Sequence, residues 1–109
     1  MNDLSDLLKY EFAFILVGTS WCVSCKAQEN ILTSHKIPEY LQKLGIKYLY
    51  IDGDDKEYSN FLDIHRVGSV PYIILMKQGK VIEKLKGLQL SSTIRERIDR
   101  MINLHSSNQ

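Results

Sequence analysis

Short apolar blocks alternate along the chain with segments whose apolar residues recur at helical spacing. Leu4, Leu7 and Leu8 follow this spacing behind Asp3 and Ser5, either of which can cap, and predict a short N-terminal helix. Phe12 to Val17 is apolar at every position, the pattern of a strand buried on both faces, so a central parallel strand is expected. Gly18, Thr19 and Ser20 interrupt it, and Cys25 to Gln42 then carries helix formers around Ile31, Leu32, Ile37, Tyr40 and Leu41, with Pro38 expected to break or kink the helix. Gly45 ends this stretch, and Ile46 to Asp52 alternates aliphatic and aromatic residues as a second buried strand. Asp54 or Asp55 can cap a third helix with Tyr58, Phe61, Leu62 and His65 on one face. Tyr72 to Met76 and Val81 to Lys86, joined by Lys77 to Lys80 with Gly79 at the turn, predict an antiparallel hairpin. Ser91, Ser92 and Thr93 offer caps for a last helix with Ile94, Ile98, Met101 and Ile102 as its apolar stripe. The predicted order is α-β-α-β-α-β-β-α, an α/β class chain.

Composition narrows the range of functions. With 109 residues and 44% hydrophobic side chains, the chain suits one domain with one core. A formal net charge of +1 gives no electrostatic ground for a nucleic-acid partner or an anionic membrane surface. The longest apolar run, Phe12 to Val17, is far short of the roughly 20 residues that cross a bilayer. It follows Asp3, Asp6, Lys9 and Glu11, unlike a secretory leader, so a cytoplasmic location is expected. The acidic group Asp52, Asp54, Asp55 and Glu57 is broken by Lys56 and fits helix capping better than a cation loop.

The chemistry concentrates at Trp21-Cys22-Val23-Ser24-Cys25, where the chain's two cysteines stand two residues apart between a buried strand and a helix start. Unpaired N–H groups and the positive dipole end there favour a thiolate, so Cys22 is the expected nucleophile and Cys25, one turn inward, the resolving thiol. Attack by Cys22 on a target disulfide, then by Cys25 on the mixed disulfide, closes a full exchange cycle. A closed zinc site needs four ligands, and His35, His65 and His105 lack the spacing to complete one, so no metal is expected. The ligand count leaves a metal shared between two chains as one alternative, and two cysteines buried as small hydrophobes as another.

The chain resembles the thioredoxin family over nearly its whole length. The strand-Trp-Cys-x-x-Cys-Lys run spans Phe12 to Lys26, and Val70-Pro71 is similar to the family's cis-proline loop facing the redox pair. Gly79 and Gly87 follow Pro71 by 8 and 16 residues, in register with the family's hairpin glycine and its groove glycine. The resemblance implies a three-layer α/β/α sandwich with a mixed central sheet of about four strands and a shortened N-terminus. It covers residues 1–104 as a thioredoxin-like domain, and the soft segment 105–109 is expected to be a flexible tail. It further implies a protein-disulfide reductase serving electron transport and redox homeostasis, with a redox-active Cys22–Cys25 disulfide and no bound cofactor. NADPH would act only indirectly, through a thioredoxin reductase. Expected partners are that reductase and disulfide-containing proteins; nucleic acid and membrane are not expected, and the chain is expected to be a monomer. Trp21, Val70, Pro71 and Gly87 are its implied substrate-binding residues, with Val23, Ser24 and Lys26 as modulators. Tyr72 either borders the groove or packs in the sheet.

Four departures bear on function. Val23-Ser24 replaces the family's Gly-Pro and leaves the redox direction open, so a dithiol oxidase, a disulfide isomerase or a thioredoxin-fold binding module stand as alternatives. Leu16 occupies the place of a buried aspartate and cannot shuttle a proton, so Cys25 needs water, the target or another side chain. Glu29 is a candidate for that part, although a helix-surface position suits it better. Gly18 stands where the family has a bulky aromatic, which predicts open space near Trp21. The segment between Cys25 and Pro71 is longer than in the family, so remodelling is expected near Thr33 to Pro38.

Overall fold

The computed structural model describes residues 3–106. Its central strand β1 (Phe12–Gly18) is buried at every position, as the unbroken apolar run requires. It pairs in parallel with β2 (Lys47–Asp52) and antiparallel with β3 (Tyr72–Lys77). β4 (Lys80–Lys86) completes a sheet of order β2-β1-β3-β4 by antiparallel pairing with β3. The expected central strand is therefore parallel to one neighbour and antiparallel to the other.

Strand alternation divides the core in two. Phe12, Phe14, Leu16, Ile73 and Leu75 face α1 (Val23–Ser34), α2 (Ile37–Lys43) and α4 (Ser91–His105), meeting Leu32, Ile37, Leu41, Ile94, Ile98 and Met101. Ala13, Ile15, Val17, Ile51, Ile74 and Met76 face the other way, onto Leu7, Tyr58 and Leu62. Tyr72, 7% exposed, belongs to this second core and packs in the sheet. The result is the expected three-layer α/β/α arrangement.

Several elements differ from expectation at their ends. The N-terminal helix is a 3₁₀ helix over Asp3–Lys9. The long helix expected over Cys25 to Gln42 is two, because Lys36 adopts a left-handed conformation with φ 56°. The break precedes Pro38, which sits in the first turn of α2, where its missing N–H is not needed. The third helix is a 3₁₀ turn, Lys56–Tyr58, continued by α3 (Ser59–Ile64), and Asp55 caps it by accepting from the Glu57 N–H. The β3–β4 turn places Gln78 and Gly79 at φ 48° and 84°, the double positive geometry of a type I′ hairpin. Ser91, Ser92 and Thr93 do not cap α4; Leu90 precedes it without a side-chain cap bond. α4 runs through His105, and residues 107–109 of the expected tail lie outside the described residues.

Candidate redox site at the start of helix α1

Where β1 ends, the chain turns through Thr19 to Trp21 and enters α1 with Cys22 as its N-cap. The Cys25 N–H donates to Cys22 Sγ over 3.0 Å, so a sulfur takes the place of the usual capping oxygen. Cys22 and Cys25 are joined as a disulfide, with Cα atoms 5.2 Å apart. Cys25 is fully buried and Cys22 is 6% exposed. Ser24 Oγ lies 3.4 Å from Cys22 Sγ, and the first turn of α1 carries no acidic residue. Once the disulfide is reduced, the free N–H groups and positive end of α1 act on Cys22 with no opposing carboxylate in that turn.

A cleft of about 770 Å³ opens beside Cys22, bordered by Trp21, Val23 and Ser24 on one side and by Val67 to Val70 on the other. Trp21 and Val23 are strongly exposed. The Trp21 indole is held by donating Nε1–H to Asp54 Oδ2 over 2.8 Å. The acidic group thus divides its work: Asp52 and Asp55 accept from nearby backbone N–H groups, while Asp54 anchors the tryptophan. Thr19, 4% exposed, also borders the cleft, and its hydroxyl has no hydrogen-bond partner among the described residues.

The Val70–Pro71 peptide bond is cis, and Val70 borders the cleft while Pro71 is buried behind it. The Gly87 N–H donates to the Pro71 carbonyl over 3.0 Å, so these two residues, 16 apart in sequence, are joined directly. Lys26 is exposed on α1 and does not border the cleft.

Two residues near the cysteines escaped the sequence reading. Gln28, fully buried, donates Nε2–H to the Gln89 carbonyl (3.0 Å) and accepts from the Gln89 N–H (2.7 Å), tying α1 to the segment after Gly87. No polar–apolar pattern separates such a glutamine from an exposed one. The second is Tyr50, which fills the side of Gly18 that faces Cys25, while the space beside Trp21 is the open cleft. A Cβ on Gly18 would stand 2.8 Å from the Tyr50 hydroxyl oxygen, 3.3 Å from Cys25 Cβ and 3.4 Å from Cys25 Sγ. The room that glycine leaves is occupied from β2, whose Tyr50 pairs with Leu16 on the same sheet face. Tyr50 is 37% exposed; partial desolvation, then the charges of Glu29 and Asp52, raise its pKa, so the phenol stays protonated at neutral pH. Tyr48 is pushed up to about 12, by burial first and then by Glu29 and Tyr50. Glu29 itself is on the exposed surface of α1.

Among the described residues no group of three or more His, Cys, Asp or Glu side chains could hold a metal ion, and no helix is long and apolar enough to cross a membrane.

No family model and no curated protein sequence matches this chain. Solved structures do. A thioredoxin from Trypanosoma brucei brucei superposes with a TM-score of 0.76 at 20% identity, covering 93% of this chain and 84% of its own. The oxidised thioredoxin of Plasmodium falciparum gives 0.72 at 20% identity, covering 89% and 86%. The oxidised mitochondrial thioredoxin 3 of Saccharomyces cerevisiae gives 0.72 at 21% identity, covering 87% and 84%. At these identities the likeness establishes the thioredoxin fold.

Proposed function

We propose that this chain, folded as a thioredoxin, is a thiol–disulfide oxidoreductase that reduces protein disulfides through Cys22 and Cys25. The observation that carries the reading is the Cys22–Cys25 disulfide across the first turn of α1, with Cys22 at the edge of an open cleft. In the reduced protein the Cys22 thiolate, favoured by the Cys25 N–H and the helix N-terminus, attacks a substrate disulfide and forms a mixed disulfide. Cys25, buried one turn inward, attacks Cys22 Sγ, releases the reduced substrate and restores the internal disulfide.

The substrate's backbone lies along Val70-Pro71 in this reading, with Gly87 supporting Pro71 from behind. The exposed Trp21 and Val23 provide apolar contact beside the reacting sulfur. Ser24, within 3.4 Å of Cys22 Sγ, and Lys26 modulate the pair. Electrons return from an NADPH-dependent thioredoxin reductase acting on the Cys22–Cys25 disulfide, and a reducing compartment such as the cytoplasm suits that direction.

Insulin reduction tests the reading. Cys22→Ser should lower turnover to the uncatalysed background, and Cys25→Ser should accumulate a mixed disulfide visible by mass spectrometry. Equal turnover by Cys22→Ser and wild type would falsify the assignment. Equilibration in dithiothreitol buffers then fixes the direction: a potential near about −270 mV supports a reductase, and one near about −120 to −180 mV an oxidase or isomerase.

A further inference from the structure

We propose that the Tyr50 hydroxyl, seated in the space that Gly18 leaves beside Cys25, donates a hydrogen bond to the Cys25 thiolate and makes Tyr50 a positioning residue for the resolving step. The inference rests on the exchange cycle proposed above and deepens it. Cys25 is fully buried, and burial alone opposes formation of the thiolate that must attack. β1 supplies no ionisable side chain behind it, Leu16 being aliphatic and fully buried. What the fold does supply is a phenol: the Tyr50 oxygen and the Cys25 sulfur both stand against Gly18, 2.8 and 3.4 Å from where a Cβ on it would lie. A side chain at position 18 would crowd both.

The groups facing Tyr50 fix its part in the step. Glu29 from α1 and Asp52 from β2 both favour the protonated phenol, and Tyr48, on the same face of β2, is itself neutral at physiological pH. A phenol that stays protonated can donate to a thiolate and cannot serve as its base. In the mixed disulfide, the Cys25 thiol gives its proton to water and the resulting thiolate is held by Tyr50. That thiolate attacks Cys22 Sγ; the Cys22–Cys25 bond forms as the bond from Cys22 to the substrate breaks. The substrate sulfur leaves as a thiolate and takes a proton from water. Over the cycle two electrons pass from the Cys22/Cys25 dithiol to the substrate disulfide.

Tyr50→Phe keeps the ring and removes the donor. In the reduced Cys22→Ser protein, where Cys25 is the only thiol, thiolate absorbance against pH should show the Cys25 titration moving up by about one unit when Tyr50→Phe is added. With both cysteines present, resolution of the mixed disulfide at neutral pH should slow by about threefold, since the lost thiolate fraction is partly offset by the greater nucleophilicity of a more basic thiolate. Alkylation of Cys22 should keep its wild-type rate. Gly18→Ala, which drives a methyl against the hydroxyl, should raise the Cys25 titration in the presence of Tyr50 and add nothing in Tyr50→Phe. An unmoved Cys25 titration in Tyr50→Phe overturns the inference while leaving the exchange cycle standing. Failure of that cycle shows separately, as undiminished insulin reduction by Cys22→Ser.

Discussion

Gln28 illustrates how a single unreactive side chain holds this site in shape. It is fully buried in the helix that starts at the redox pair, and both ends of its amide are used by the Gln89 backbone. Truncation would leave a partly buried N–H and C=O without partners, a loss larger than that of an exposed hydrogen bond. Gln28→Ala should therefore destabilise the protein by about 2 kcal/mol in urea unfolding, whereas Ala at exposed Glu29 should change little. Gln28 was illegible in the sequence because a helix-surface glutamine and a buried one look alike until the segment after Gly87 is brought against α1. The pairing of Cys22 with Cys25 was legible because its meaning lies in short spacing, at a strand-to-helix turn that the apolar run and Gly18 already marked. Tyr50 sits between these cases. Its alternation in β2 was visible, but its approach to Cys25 depends on the register Leu16↔Tyr50 and on the absence of a side chain two residues along β1.

Helix ends carry the lesson at the scale of elements. Pro38 announced a break, yet the turn itself is made by Lys36 in the left-handed region, where a side chain is strained by about 1 kcal/mol. There the Lys36 N–H donates to the Thr33 carbonyl, closing α1, while its own carbonyl accepts from the Tyr40 N–H and opens α2. Lys36→Gly should relieve the strain and raise stability by about 0.5–1 kcal/mol, read as a shift of the urea midpoint at constant slope. A lower midpoint would mean that the lysine side chain, and not the backbone angle, is what matters at this turn. The hairpin was easier to locate because Gly79 at the tip of two apolar runs meets a local demand, positive φ, that needs no partner elsewhere.

For the whole molecule, alternation along β2 sets Tyr48 and Tyr50 on the sheet face covered by α1, α2 and α4, and this couples stability to alkaline pH. Tyr48, packed against the Phe14 ring at 5.9 Å, has its pKa raised to about 12, chiefly by burial. In the unfolded chain it titrates near about 10. Between these values the unfolded chain releases the proton while the folded chain keeps it. The contribution is present in full below pH 10 and is lost as pH rises toward 12. Tyr48→Phe removes this linkage. The stability of wild type relative to Tyr48→Phe should therefore fall when urea midpoints are compared at about pH 9 and about pH 11.5. An unchanged difference would place the Tyr48 hydroxyl in solvent.

The sequence by itself determined the α/β order, the buried central strand, the hairpin and the two cysteines at a helix start. All of these are written in periodicity and short spacing, so each is dictated by residues close together in the chain. Only the tertiary structure decided what stands around the cysteines. The cleft between Trp21 and Val70, the bond from Gly87 to Pro71, the hold of Asp54 on Trp21 and the seating of Tyr50 beside Gly18 all join segments far apart in sequence. Their geometry follows from strand order and register, which are set by how the two faces of one sheet bury their apolar side chains together.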